Sequence, residues 1–251
     1  MPKVIILGSS NAIPDEDHEN SHMALVGDQR LILIDCVNNP IVRLRKAGLD
    51  VENITDLILT HFHPDHVSGV PLLLMDLWLL GREKELRIYG LDFTLDRLET
   101  MMDLYGWDTW PRFFPVKMHR LAEQTMTLVQ ENDQWVIYSS PVKHIIPNIG
   151  LRIEFPKSGK VIAYSGDTEP SPEVVQLAKS ANLLIHEATG GSLGHTDARQ
   201  AGQIAKSAGA EQLFLIHYAN GKFKDNDIVA RAAQEFDGPV SLAEDFMEFE
   251  F

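Results

Sequence analysis

Between residues 57 and 66 the chain reads Leu-Ile-Leu-Thr-His-Phe-His-Pro-Asp-His, so His61, His63, Asp65 and His66 crowd together directly after an apolar run. Imidazole nitrogens and carboxylate oxygens suit zinc, manganese or iron. Histidines this close would repel one another if protonated, and a bound cation removes that conflict by keeping them neutral. A histidine-rich surface turn is the plainer alternative. Against it stand the apolar strand before the segment and the helical pattern of residues 67–80 after it, which fix the loop from both sides. The arrangement recurs: His144 follows Tyr138-Ser-Ser-Pro-Val-Lys, Asp167 lies in Ser165-Gly-Asp-Thr, His186 follows Leu183-Leu-Ile and His217 follows Leu213-Phe-Leu-Ile. Each alone reads as a core or turn residue. Together with the segment at 61–66 they can complete a metal site. His195 is different, because Gly194-His-Thr precedes a helix instead of ending an apolar run. His18, His22 and His119 lack the strand-end setting and read as ordinary polar residues.

These residues need strands to carry them. Short apolar, β-branched runs predict strands at 4–7, 31–35, 57–60, 87–89, 135–139, 151–155, 161–165, 183–185, 213–216 and 246–249. One helix begins at Ser171-Pro-Glu, a capping residue, then proline at the first helical position, then an acid favoured by the helix dipole. Another spans 197–208, with Ala198, Ala201, Ile204, Ala205 and Ala208 on one face and Gly209 as its stop. Meanders near the start and strand–helix–strand alternation later fit an α/β layered sandwich of two sheets covered by helices. No linker or low-complexity stretch interrupts the 251 residues, so a single domain over 1–251 is expected.

Composition narrows the partners. With 44% hydrophobic residues the chain can bury a substantial core, and a net charge of −14 argues against a phosphate-gripping surface, which needs clustered Lys and Arg. Arg43-Leu-Arg-Lys46 is the nearest to such a cluster and reads better as a solvated helix face. No run reaches membrane-span length and Val4-Ile-Ile-Leu7 is too short for a signal peptide, so a soluble, cytoplasmic protein without membrane contact is expected. The lone Cys36 reads as a small core residue.

The segment Thr60-His-Phe-His-Pro-Asp-His-Val-Ser-Gly resembles the HxHxDH signature of the metallo-β-lactamase superfamily. Within it the chain most resembles the ribonuclease Z-like branch, through Leu33-Ile-Asp-Cys36, Leu80-Gly-Arg-Glu, Pro141-Val-Lys-His144, Ser165-Gly-Asp-Thr168, His186-Glu-Ala-Thr189, Gly194-His-Thr196 and Ile216-His-Tyr218, all in the right order. The resemblance implies an αβ/βα sandwich, a homodimer and a dinuclear centre. His61, His63 and His144 would hold one divalent ion, Asp65, His66 and His217 the other, and Asp167 would bridge them, with zinc as first choice and manganese or iron as alternatives. The count leaves a place for a bridging hydroxide as attacking group. Two divalent ions less Asp65, Asp167 and that hydroxide leave about +1, a centre that welcomes an anionic diester. A histidine at 63, where oxygen-reducing di-iron relatives carry a carboxylate, points to hydrolysis. By the same resemblance His195 protonates the leaving oxygen, Asp65 serves as general base, and Glu187 is a candidate to orient His195.

The chain also departs from that branch. Bacterial ribonuclease Z enzymes carry a long tRNA-gripping arm between the residues matching His144 and Asp167, where this chain has room only for a hairpin turning at Pro156-Lys-Ser-Gly159. Val37 follows Cys36 where glycine is usual, and Gly221-Lys-Phe223 replaces a more basic segment. The expected activity is therefore a metal-dependent phosphodiesterase acting on a small anionic substrate or short phosphodiester, with nucleic acid disfavoured. The alternatives are a tRNA 3′-processing endonuclease, and a lactone, thioester or sulfate-ester hydrolase on the same centre. Trp107, Trp110, Phe113 and Phe114 fit a pocket wall or core packing equally well.

Overall fold

The computed structural model describes residues 1–251, which form two compact units: Met1–Leu7 with His22–Leu121 and Phe246–Glu250, and Gly8–Ser21 with Ala122–Asp245 and Phe251. No helix is long and apolar enough to cross a membrane.

Chain order begins with β1 (Lys3–Gly8), β2 (His22–Val26), β3 (Leu31–Ile34), α1 (Pro40–Lys46), β4 (Ile54–Ile58), α2 (Pro64–Val67), α3 (Val70–Leu79), β5 (Leu86–Leu91), α4 (Asp92–Leu104) and β6 (Val116–Leu121). It continues with β7 (Thr127–Glu131), β8 (Val136–Val142), β9 (Asn148–Phe155), β10 (Lys160–Tyr164), α5 (Pro172–Leu177), β11 (Leu183–Glu187), α6 (Ala198–Ala208), β12 (Leu213–Ile216), α7 (Ile228–Ala233), β13 (Val240–Leu242) and β14 (Glu248–Glu250).

The first unit is a seven-stranded sheet ordered β14-β1-β2-β3-β4-β5-β6. β3, β4, β5 and β6 run parallel, so their carboxyl ends leave one edge of the sheet, the place where α/β folds build sites. Leu57, Leu59, Ile88, Leu95, Leu98, Val70, Leu73 and Leu77 pack helices onto one face. The aromatic run lies in this packing: Phe114 is buried, Trp78 stacks on Trp110 at 5.0 Å, and Trp78 donates its indole N–H to the Pro111 carbonyl. The helical pattern at 67–80 splits into α2 and α3 at Ser68-Gly69. A side chain at 69 would put its Cβ 2.6 Å from the Val37 carbonyl, so the bare glycine lets the two segments touch.

The second unit is ordered β13-β12-β11-β10-β9-β8-β7. β8 is antiparallel to β9 and β9 to β10, while β10, β11, β12 and β13 are parallel. β8, β10, β11 and β12 therefore all point the same way. Asp197 accepts from the Gln200 amide while Gln200 returns the bond, a capping box that starts α6, and Gly209 ends it in the left-handed conformation. Its buried face, Ala198, Ala201, Ile204, Ala205 and Ala208, is the one expected from spacing.

Sequence reading missed β2, β6, β7 and β13 and placed the start of β4 three residues late, at 57 instead of Ile54. It also expected meanders only near the start, whereas β7 to β10 form a second one in mid-chain.

Candidate metal and catalytic residues

Each unit presents its chemistry at strand carboxyl ends. In the first, β3 and β4 lie in parallel register with Ile34 opposite Ile58, which sets Asp35 beside the chain leaving β4. Asp35 is fully buried and adopts φ 62°, a left-handed conformation that aspartate tolerates better than most residues. One carboxylate oxygen accepts from the Thr60 amide at 2.8 Å, and the other accepts from the Thr60 hydroxyl at 2.8 Å and from His66 Nδ1 at 2.8 Å. Because that hydroxyl's proton goes to Asp35, it accepts from His61 Nδ1, 3.0 Å away. Both imidazoles are thereby fixed in the tautomer whose Nε2 carries a lone pair. His61 Nε2 and His63 Nδ1 stand 3.0 Å apart, close to the ~3.3 Å between two nitrogens sharing a tetrahedral ion at about 2.0 Å. Asp65 Oδ2 is 3.6 Å from His66 Nε2. Asp35 is placed by the sequence pattern at the end of a strand and within a motif, with no role of its own. It ends an apolar run like the others, and that signal would have found it.

In the second unit the common direction of β8, β10, β11 and β12 delivers His144, Asp167, Glu187 and His217 to one edge. His144 donates Nδ1–H to the Gly194 carbonyl at 2.7 Å. Gly194 has φ +83°, and a Cβ there would come within 2.7 Å of Ile145 and 3.0 Å of His144 Nδ1, so only glycine lets this peptide reach the ring. Burial pulls the His144 imidazole below its usual range, against the opposing pull of the Gly194 bond and Asp167. His217, at φ 55°, donates Nδ1–H to the Thr189 hydroxyl at 2.7 Å, which in turn donates to the His217 carbonyl at 2.8 Å. Its Nε2 lies 3.4 Å from Asp167 Oδ2. His144, Asp167 and His195 each offer a ligand atom within 4.8 Å of the others, as do Glu187, His195 and His217.

Glu187 is fully buried and joins this edge together. It accepts from the Thr168 amide at 2.9 Å, from the Thr189 amide at 3.0 Å and from His195 Nδ1 at 2.9 Å. The neighbouring Thr189 serves His217, so one short turn orients both histidines. Sequence reading did not single out Thr189's part in this.

The donor chemistry fits divalent ions. His61, His66, His144 and His217 each commit Nδ1 to a protein acceptor, the outer-shell arrangement that fixes a metal-binding imidazole.

Of the remaining histidines, His18 is partly exposed against Asp15, His119 stacks on Tyr89 at 4.6 Å, and His22 is buried at the start of β2. Cys36 is buried, and its thiol is pushed up by burial. His186 is fully buried on β11, donates Nδ1–H to the Glu187 carbonyl at 2.8 Å, and is held below its usual range by burial. The folded chain keeps His186 neutral, while the unfolded chain takes up a proton near pH 6.5. Its stability term is whole above that pH and is lost as pH falls below it, with a slope of about 1.4 kcal/mol per pH unit. Denaturant unfolding from pH 7 to 5 should therefore fall off more steeply in the wild type than in His186→Gln. Parallel profiles would show that His186 does not titrate on unfolding.

Comparison with known proteins gives this arrangement a lineage. The model of the beta-lactamase superfamily domain matches residues 30–218. The chain is 27% identical to the ribonuclease Z of Methanothermobacter thermautotrophicus, covering 100% of this chain and 97% of that one. Among solved structures it superposes on the metallo-β-lactamase fold protein YhfI of Bacillus subtilis with a TM-score of 0.84 at 23% identity, covering 100% and 99% of the two chains. For the short form of human tRNase Z the TM-score is 0.77 at 28% identity, covering 99% and 98%. The chain thus belongs to the metallo-β-lactamase superfamily, on its ribonuclease Z-like branch, and is a metal-dependent hydrolase.

Proposed function

We propose that the protein hydrolyses phosphodiesters, with His61, His63, Asp65, His66, His144, Asp167 and His217 as the ligands of two divalent ions, zinc first. The observation that carries this reading is the Glu187–His195 pair: a proton-bearing imidazole aimed by a buried carboxylate, with its own ligand atom within 4.8 Å of that of His217. The ions, when bound, supply positive charge and lower the pKa of water. The protein side of the reaction is proton handling. Asp65 takes the proton of the attacking water. His195 gives one to the departing alcohol, which is a poor leaving group as an alkoxide. His195 acts as an imidazolium: Glu187 holds its Nδ1–H, the second proton on Nε2 goes to the leaving oxygen, and the ring is left neutral.

Small substrates are preferred in this reading. The chain between β9 and β10 is a turn of residues 156–159 where tRNA-gripping relatives place an arm, and the charge of −14 repels a polyanion. A second reading, tRNA 3′ processing, is favoured by the names of the archaeal and human relatives. Elemental analysis after zinc or manganese reconstitution should find two ions per chain, and fewer in His61→Ala and His217→Ala. A competition assay should then show higher efficiency for a small diester than for precursor tRNA. At most one ion would overturn the ligand set. Efficient 3′ cleavage of tRNA, with affinity falling steeply as salt rises, would establish the second reading, and turnover of only a lactone or sulfate ester would exclude both.

A further inference from the structure

A cavity of about 430 Å³ in the second unit is lined in part by the turn that orients His217, and none of its chemistry is used by the mechanism above. Thr189 belongs to both, lining the cavity and bonding the His217 ring. The lining divides by character. Ala188, Ala198, Ala219 and Ile228 make small apolar walls, and Gly190 and Gly191 leave main chain accessible. Phe223 contributes an aromatic ring that is 56% exposed.

The charges at the rim cancel. Arg231 is paired with Asp225, Arg199 lies 3.2 Å from Glu235, and Asp197 spends its carboxylate on the first turn of α6. Within the lining itself two arginines face two aspartates. A pocket for a second phosphate would hold cations in excess. This one suits a neutral group with flat apolar faces and an edge that both donates and accepts hydrogen bonds. The volume lies in the range of small-molecule sites.

We propose that this cavity receives the nucleobase of a nucleoside phosphodiester, with Phe223 as its stacking partner; the identity of the substrate as a phosphodiester rests on the function proposed above. Substrate choice would then be set by residues of the turn and of the 219–231 segment, while the metal ligands remain indifferent to the base.

Binding to the metal-loaded protein tests this independently of turnover. Isothermal titration with adenosine 5′-monophosphate and with ribose 5-phosphate compares ligands that differ only in the base. The nucleotide should bind roughly tenfold tighter or more, the scale of base–aromatic stacking. Phe223→Ala should remove that advantage and Phe223→Trp should retain it. Phe223 is exposed, so neither change threatens folding. Equal affinities in the wild type, or a nucleotide advantage that survives Phe223→Ala, would overturn the pocket. A protein that turns over no phosphodiester yet keeps the Phe223-dependent preference would refute the proposed function and uphold the pocket. Turnover of methyl 4-nitrophenyl phosphate together with indifference to the base would do the reverse.

Discussion

Asp35→Ala is expected to cost the fold about 3–5 kcal/mol, although Asp35 is not itself a proposed ligand. The side chain is fully buried and accepts three hydrogen bonds, from the Thr60 amide, the Thr60 hydroxyl and His66 Nδ1. Truncation strands all three donors out of water, at roughly 1–3 kcal/mol each before relaxation, and the total compares with breaking a buried ion pair. Alanine also tolerates φ 62° less well than aspartate. For a chain of this length the thermal midpoint should drop by on the order of 10 °C. The functional consequence runs through His66, whose ring loses the partner that sets its tautomer. Metal affinity should fall roughly 10- to 100-fold. Asp35→Asn separates the two effects, because it keeps the volume and an acceptor for Thr60 but lacks the second carboxylate oxygen. It should recover most of the stability and little of the affinity. If a competing chelator finds unchanged zinc affinity in both variants, Asp35 serves folding alone.

His195→Ala should slow an alkyl-alcohol leaving group by roughly a hundredfold or more while hardly touching a diester that expels nitrophenolate. The stable phenolate departs without a proton, so only the first reaction needs the imidazole. Glu187→Gln gives the graded version: His195 stays, but the negative partner at 2.9 Å is gone. It should reproduce part of the loss with the same dependence on leaving group. Equal losses on both substrates would mean that His195 positions substrate and does not protonate it.

Among the strands that sequence reading found, Leu31–Ile34 and Leu213–Ile216 carry an unbroken apolar run, since a strand covered on both faces leaves little room for a polar residue. Of the missed strands, β2 has an apolar run, Met23-Ala-Leu-Val26, that nothing in its pattern hides, while the others have physical causes. β6 and β7 are edge strands with partly exposed, alternating polar residues, and β13 is three residues long. The start of β4 was hidden by Asp56, a carboxylate that looks like a boundary but is fully buried against the guanidinium of Arg87 at 2.7 Å on the neighbouring strand. No local pattern announces a partner 31 residues away. The same limit applies to the functional residues. Polar groups ending apolar runs stood out individually, but Asp35 serving Thr60 and His66, and Thr189 serving His217, depend on parallel register between strands remote in sequence.

β14 supplies the outer strand of the first sheet, pairing Lys3 with Glu250, Val4 with Phe249 and Ile5 with Glu248. During synthesis those partners emerge only after residues 122–245 of the second unit have been made. Until then β1, with Val4, Ile5, Ile6 and Leu7 in its sequence, has an open edge of unpaired main chain, the kind of template on which nascent chains stick to one another. Residues 248–250, made late, therefore act as a cap on residues 3–5, made early. A message that stops before codon 248 would yield a chain with its proposed ligand residues intact and the edge of β1 uncovered, prone to self-association.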